Sequence, residues 1–509
     1  MERFLTQHST RVLGAIGGFD RVLFRGTLRS ISYLDGMDKF LSSQRVRYTA
    51  FAGFAARMTA RVRQHAETIA AQTGRPIEYL RSSAISKDAR AREILERDQV
   101  TEGLVCIFSC VESCITFTVR GDRATQRLRL VRKEGKCVYL YFYLVDREFG
   151  LMHLRLQTWL PLTIQVAVNG RVWLARQLTA AGLAYEQDGN AVVPEDLVAA
   201  QAVADRLNTQ AWEGWLTRYA AWINPWLAPA DGLFRQYYWS VRESEYATDV
   251  IFATAADLQA RYPRLVHHAI EQLQARDILR FLGRIKPGRF QGEAHSTVIH
   301  RPEGMRVRHW LDENSITMYD KAGRLLRVEV TLNNPSRFKV LRRRPSDGRL
   351  DWLPLRRGIA DMGRRAELGR AAIARYLDAL SVVGDPTPSH RLLDPVSQRV
   401  TRDGRPYRPL RPISPDEAAL FAAVLRGEFA VQGFHNKDLR HALYPAVEHD
   451  PVRRRPAAAR ITRALRLLRA HRLIKKVPRT RYYRVTDLGH RIMTTALRFR
   501  QTDCALLAA

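Results

Sequence analysis

Apolar and polar positions alternate through Asn314–Asn334 (NSITMYDKAGRLLRVEVTLNN) in two runs rich in β-branched and aromatic residues. Lys321-Ala322-Gly323-Arg324 separates the runs and Asn-Asn-Pro stops the second, a pattern that predicts a β-hairpin. Matching apolar positions favours a three-residue loop, with Met318 opposite Val328 and Ile316 opposite Val330. Thr317, Tyr319, Lys321, Arg327 and Glu329 then share the other face, while Asp320 points away from them. Tyr, Lys, Arg and Glu together are unusual for a strand in a core. That face is either wetted or lines a site.

Elsewhere the same periodicities place a short helix at the start, a strand over Phe19–Leu28, and a mostly helical, basic stretch from Asp35 to His65 with a break at Gly74. Strand character recurs over Gly103–Val119, Leu128–Val131, Cys137–Val145, Leu151–Trp159 and Leu162–Val168, before a helix over Arg171–Ala181. In Leu151–Trp159, Met152, Leu154, Leu156 and Thr158 point one way. His153, Arg155, Gln157 and Trp159 point the other, towards either a phosphate backbone, a base or plain solvent. From Pro194 to Leu282 the pattern turns helical, and Trp212, Trp215, Trp222 and Trp226 form a stripe that reads as core. Within it, Glu245 and Asp249 stand four apart, on one face of a predicted helix. They are either partners of neighbouring arginines or ligands of a divalent cation. A β-meander is expected over Phe290–Leu332 and an Arg-rich helix over Asp351–Ala379. The Pro-rich stretch Asp385–Pro415 reads as a linker.

Composition changes this picture in one respect. The 509 residues are 46% apolar and 26% charged, as in globular chains of several domains, but the net charge is +31. Only ten residues are Lys, so codon bias explains the choice of Arg; it does not explain the shortage of acids. Such an excess predicts a polyanionic partner, DNA before RNA. The N-terminus lacks the apolar core of a signal peptide, and the longest apolar run, Cys137–Val145, is nine residues and too short to span a bilayer. No membrane partner and a cytoplasmic, nucleoid-associated location are expected. Five cysteines fit a reducing compartment, with Cys106, Cys110 and Cys114 expected as buried strand thiols. No His-x-His pair is present, which argues against a two-histidine metal site, and no P-loop, so no nucleotide cofactor is expected.

The C-terminus carries the most specific pattern. Ser414-Pro415-Asp416-Glu417 reads as a capping box that opens a helix running to about Phe429. A short helix near Lys437–Leu443 follows, then a third over Ala457–His471 that buries Ile461, Leu465 and Leu468 and presents Thr462, Arg463 and Arg466. Two short strands, Leu473–Val477 and Arg481–Val485, and a helix opened by Thr486-Asp487 complete a winged-helix order. The phrase LLRAHRLIKKVPRTRYYRVTDLG is similar to the recognition-helix-and-wing segment of bacterial winged-helix DNA-binding domains. That resemblance implies Thr462, Arg463 and Arg466 in the major groove, with Arg479 and Arg481 in the wing. The expected class is therefore α+β multidomain: a basic α/β region (1–190), a helical middle (191–285), a central antiparallel meander with its following helix (286–384), a Pro-rich linker (385–413) and a winged helix (414–509).

Over its whole length the chain resembles a widespread set of long bacterial proteins sharing FDRVLFRGTLR, EYATDV, the YDK hairpin and this C-terminus, a likeness that implies organisation rather than activity. At the hairpin, Tyr319-Asp320-Lys321 followed by Arg327-Val328-Glu329 resembles the Y-[DN]-K and R-x-E strands of plasmid and phage rolling-circle replication initiators. Those proteins nick one DNA strand with a tyrosine and a divalent metal. The resemblance implies Tyr319, Asp320, Lys321 and Glu329 as catalytic candidates and Glu329 and Asp320 as Mg²⁺ or Mn²⁺ ligands; Glu245 and Asp249 stay metal candidates on their spacing alone. It departs from the family in lacking the acidic residue usual after the Lys. Three functions stay open: a DNA-binding initiator or transposase-like nickase, a non-catalytic DNA-binding regulator or mobile-element accessory protein, and a partner of structured RNA.

Overall fold

The strongest alternation in the sequence lies at the heart of one large sheet. The computed structural model describes residues 1–82, 84–122, 126–227, 233–282, 292–301, 304–381, 383, 389–426, 429, 433–447, 450–478 and 480–502. The chain opens with α1 (Glu2–Gln7), β1 (Val12–Thr27), α2 (Leu34–Ser43), α3 (Phe51–Thr73), β2 (Ile77–Leu80) and α4 (Lys87–Asp98). Strands β3 (Gly103–Asp122), β4 (Arg127–Asp146), β5 (Gly150–Gln157) and β6 (Ile164–Asn169) follow, then α5 (Gly170–Ala180). A small hairpin, β7 (Tyr185–Asp188) and β8 (Ala191–Pro194), leads to α6 (Leu197–Arg206), α7 (Trp212–Ile223) and the long strand β9 (Tyr238–Phe252). Next come α8 (Ala255–Gln259), α9 (Tyr262–Glu271) and α10 (Ala275–Leu282), then β10 (Ala294–Arg301), β11 (Gly304–Leu311), β12 (Asn314–Lys321) and β13 (Leu325–Leu332). The hairpin β14 (Lys339–Arg343) and β15 (Leu350–Pro354) precedes α11 (Met362–Leu380).

Eleven of these strands form one mixed sheet in the order β10-β11-β12-β13-β9-β1-β6-β5-β4-β3-β2. All neighbours are antiparallel except β2 and β3. The N-terminal strands and the expected meander therefore belong to one sheet. Strand β9 joins them, pairing with β1 on one side and β13 on the other. This corrects the helical reading of Tyr238–Phe252. The segment has polar residues at helical spacing, yet as a strand it buries nearly every residue from Ser244 to Phe252. Three residues of the Trp stripe, Trp212, Trp215 and Trp222, lie on a helix, α7, while Trp226 follows it in the 3-10 turn Pro225–Leu227; Trp212 and Trp215 are buried in the main core with α3, α11 and one face of the sheet. Two expected strands, Leu128–Val131 and Cys137–Val145, are halves of β4, and the front of the expected helix 351–379 is strand β15.

The hairpin β12–β13 has the register read from its apolar positions, Met318 with Val328 and Ile316 with Val330, across the three-residue loop Ala322–Arg324. Ala322 and Gly323 both take positive φ, 56° and 70°, which lets so short a loop reverse the chain. Val328, Val330, Ile316 and Met318 enter the core, and the polar set faces the opposite side of the sheet.

The C-terminal residues build a separate cluster of buried apolar side chains. Its elements are α12 (Ser389–Leu393), β16 (Val400–Arg402), β17 (Arg405–Tyr407), α13 (Pro415–Val424), α14 (Asn436–Leu443), α15 (Pro451–Ala470), β18 (Ile474–Lys476), β19 (Tyr483–Val485) and α16 (Asp487–Gln501). The described part of the expected linker is thus folded: Leu392, Val396 and Leu410 are buried in this cluster. Apolar residues set between the prolines outweigh the tendency of Pro and Gly towards extended chain. The capping box at Ser414 also differs from expectation. Ser414 caps no amide with its side chain, and Glu417 reaches past it to accept from the Arg411 N–H at 2.6 Å. A reciprocal capping box occurs instead at α14, between His435 and Asp438.

Candidate nucleic-acid interface and hairpin cluster

Register carries the polar face of β12–β13 across the sheet. Arg327 lies opposite Asp249 of β9, Tyr319 opposite Arg327, and Thr331 opposite Glu245, which in turn pairs with Arg21 of β1. A β-bulge between Phe19 and Arg21 aims the extra residue, Asp20, at the same cluster. Just beside it Gly170 lets α5 approach β1, since a Cβ there would stand 2.1 Å from the Phe19 carbonyl oxygen.

Arg327 is completely buried. Its Nε and Nη2 donate to the two carboxylate oxygens of Asp249 at 2.6 and 2.9 Å, Nη1 donates to Asp20 at 3.1 Å, and Nη2 also donates to the Asn190 carbonyl at 2.8 Å. Arg171 lies 3.3 Å from Asp249 and donates to the Ala247 carbonyl. Two arginines thus meet two aspartates, with the β7–β8 hairpin closed over them through Asn190. Burial pushes the Asp249 carboxyl up, but Arg171 and Arg327 pull it below its ordinary value. Burial works against the charge on Arg327, yet Asp249 and Asp20 hold it firmly ionised. The arginines and aspartates balance in number, though the buried Arg171 Nε and Nη1 have no hydrogen-bond partner among the described residues.

Its acidic margin behaves differently. The Tyr319 hydroxyl donates to Glu329 at 3.0 Å, and burial raises both groups. Burial raises the Glu245 carboxyl to about 7, against the pull of Arg21 at 3.4 Å. Tyr319 is buried under the guanidinium of Arg306, 4.3 Å above its ring.

The strands set out the expected catalytic and metal-binding residues as follows. Asp320 pairs with Leu326, on the face opposite Glu329, so these two carboxylates do not converge. Glu245 and Asp249 share a strand face rather than a helix face, about 13 Å apart at ~3.3 Å per residue. Asp249 is moreover saturated by two arginines. Among the described residues no group of three His, Cys, Asp or Glu side chains is placed to hold a metal ion. Lys321 stands on the Tyr319 face, near enough to Asp249 to act on its charge. Cys106, Cys110 and Cys114 are buried on β3. Of the expected row on β5, Gln157 is buried and hydrogen-bonded to the Ile115 carbonyl, Trp159 packs on the core, and Arg155 is paired with Glu112.

The C-terminal helix α15 shows the reverse distribution of charge. Asp450 caps it by accepting from the Val452 and Arg453 amides, with Pro451 in the first turn, so it starts one and a half turns before the expected Ala457 and passes through Pro456. Ile461, Leu465 and Leu468 are buried, and Arg453, Arg454, Arg455, Arg460, Arg463, Arg466 and Arg469 are all exposed. Arg453 pairs with Asp450. The other six have no ion-pair or hydrogen-bond partner among the described residues. Thr462 is exposed, but its hydroxyl donates to the Ala458 carbonyl and accepts from Asn436 of α14, tying the two helices together. In the adjoining hairpin Arg481 is exposed, while Arg479 lies outside the described residues. Lys475 stands directly opposite Arg484, a like-charge pair that disfavours the hairpin unless an anion is near. Sequence reading missed Arg460, Lys475 and Arg484; their signal was the density of cations around the residues it did choose.

No family model matches the chain, and no curated protein or solved structure matches it.

Proposed function

We propose that the protein is a site-selective DNA-binding protein whose C-terminal residues form a winged helix, with α15 as the recognition helix and β18–β19 as the wing. The supporting observation is the row of six arginines without a partner among the described residues on the exposed face of α15, directly behind a buried apolar stripe. An arginine held rigidly on such a face can donate two hydrogen bonds to a guanine edge, and its neighbours can meet phosphates. The cations of the wing, Lys475, Lys476, Arg481 and Arg484, supply backbone contacts that add affinity without discrimination. Among the three readings, the non-catalytic one fits best: a regulator or mobile-element accessory protein. The initiator reading stands second because the hairpin register leaves Glu329 without Asp320 on its face.

Binding-site selection from a random duplex library tests this reading, followed by fluorescence anisotropy on the selected and scrambled sites. Arg463→Ala with Arg466→Ala should remove about 1–3 kcal/mol of base discrimination per lost contact while the protein stays folded. A variant that keeps its sequence preference and loses only affinity would place these arginines on phosphates. A wild-type protein that prefers folded RNA to every duplex would replace DNA with RNA as the partner.

A further inference from the structure

The polar face of the sheet does not end at the closed cluster. Beyond Arg21 it runs over β6, β5 and β4, where register puts Asn169, Gln165, His153, Arg155, Tyr141 and Tyr143 on one side. There it opens into a cavity of about 460 Å³ walled by α4. That volume lies within the range of about 300–1,000 Å³ usual for small-molecule sites.

Four arginines line the cavity: Arg21, Arg92, Arg155 and Arg242. The acids on its wall are Asp88 and Glu243. Arg21 is engaged by Glu243 and Glu245. Arg155 is held by Glu112 and lies flat over the Tyr139 ring at 3.7 Å, yet its buried Nε has no hydrogen-bond partner. Arg92 and Arg242 are exposed, and among the described residues neither makes an ion pair or a hydrogen bond. Arg242 is the extra residue of a second β-bulge, between Val241 and Glu243, and bulges commonly re-aim a side chain beside a site. Two exposed guanidinium groups that have no partner among the described residues therefore line a single cavity, next to the partly engaged Arg155. Left empty, these cations repel one another; a phosphate would accept from several of them in the forked geometry that arginine favours.

The rest of the wall is less polar. Leu23 and Leu151 contribute apolar surface, and the His153 ring stands 5.0 Å from that of Tyr143. Asp88 accepts from the Tyr143 hydroxyl at 2.5 Å and so is already engaged. Burial lowers His153 to about 4, so near neutrality its ring is uncharged; it stands beside the Tyr141 and Tyr143 rings and 3.9 Å from Asp88, with part of its side chain accessible. A cavity lined by both cations and apolar, aromatic side chains matches a phosphate joined to a flat ring. We propose that this cavity binds a nucleoside phosphate, its phosphate held by Arg92 and Arg242 and its base set against His153, Leu23 and Leu151. The ligand is either a free mononucleotide or the phosphorylated end of a single strand. This site shares no residue with α15 and stands apart from the DNA-binding reading.

The test is titration calorimetry on the full-length protein with adenosine 5′-monophosphate, adenosine, inorganic phosphate, and 5′-phosphorylated and 5′-hydroxyl tetranucleotides. The monophosphate or the 5′-phosphorylated tetranucleotide should bind at least about tenfold more tightly than adenosine or inorganic phosphate. Arg92→Ala with Arg242→Ala should weaken that binding by about 10- to 100-fold, and Arg463→Ala with Arg466→Ala should leave it unchanged. Both cavity positions are exposed, so folding should survive, and Arg92→Gln with Arg242→Gln provides a milder second pair. A tighter mononucleotide identifies a free ligand and a tighter tetranucleotide identifies a strand end; either supports the site. No binding of either at millimolar concentration, equal binding of inorganic phosphate, or binding lost in the α15 variant and kept in the cavity variants would overturn it.

Discussion

Arg327 on the sheet and Arg463 on α15 carry the same guanidinium in opposite surroundings. Arg327 is enclosed, with Asp249 and Asp20 as partners and a neighbouring carbonyl taking a further N–H. Arg463 stands in a row of exposed arginines with no partner among the described residues. The difference lies in where the compensating charge comes from. In the sheet, the chain supplies it from β1, β9 and the β7–β8 hairpin, and removing one member would strand another in a low-dielectric interior. On α15, water screens the cations until a polyanion arrives. A strongly basic chain can thus hold arginine as structural cement in one place and as a binding surface in another. Burial and partner count separate the two roles where residue type does not.

The largest expected effect breaks the closed side of this comparison. Arg327→Ala leaves Asp249 and Asp20 short of a cation, which should destabilise the sheet by about 3–5 kcal/mol, whereas Arg463→Ala should stay within about 0.5 kcal/mol of wild type. All nine tryptophans precede residue 353, so urea unfolding followed by tryptophan fluorescence reports on the sheet and its helices. Equal midpoints for the two variants would show that the buried network contributes nothing distinctive.

A smaller effect sharpens the boundary between closed and open. Burial raises the Glu245 carboxyl from its ordinary 4.5 to about 7 in the folded chain. Between those values the folded protein keeps a proton that the unfolded chain has released. Its contribution to stability therefore falls as pH rises through that window. Glu245→Gln should remove this fall, flattening the stability profile between pH 4.5 and 7 by about 1–3 kcal/mol relative to wild type. His153 and His309, lowered to about 4 by burial, act in the opposite sense below their ordinary 6.5. Only the difference between the two proteins isolates Glu245. Parallel profiles would mean that Arg21 already holds this carboxylate ionised.

The smallest effect concerns the exposed side. Lys475→Ala with Arg481→Ala should lower the slope of log affinity against log salt by about 2 and leave sequence preference intact. Anisotropy on selected and scrambled duplexes at several salt concentrations separates those outcomes. A change in preference would place the wing against bases.

The hairpin around Met318 and Val328 was legible because its pattern is local: alternation, a short Gly-containing connection and a stop within twenty-one residues. The exposed face of α15 was legible for the same reason, since Ile461, Leu465 and Leu468 mark its buried stripe. Strand β9 was not. Glu243, Glu245 and Asp249 suit an exposed helix, and the charges that make them acceptable in a strand, Arg21, Arg171 and Arg327, lie about 80–220 residues away in sequence. The linker reading failed at Leu392, Val396 and Leu410, whose burial depends on helices outside the Pro-rich stretch. As for the candidate site, sequence reading put Arg327 and Glu329 on one face but could not see that Asp20 and Asn190 close over the arginine. The open cavity was visible only as His153 and Arg155 on one strand; its other three guanidinium groups come from β1, a helix and a bulge elsewhere.

Strand β1 has a further consequence, one of timing. It precedes every other described strand, yet its neighbours are β6, which ends at Asn169, and β9, which ends at Phe252. At about 5–20 residues per second, roughly 10–45 s separate the making of β1 from that of its second partner. For that interval the nascent chain carries a sixteen-residue segment with no way to complete its hydrogen bonds. Such an edge invites pairing with the wrong chain. Gly14, Gly17, Gly18 and Gly26 weaken its extended conformation, and Asp20, Arg21 and Arg25 interrupt its apolar surface. The residues that shape the cluster in the finished protein thus also make β1, while it waits, a poor template for misassembly.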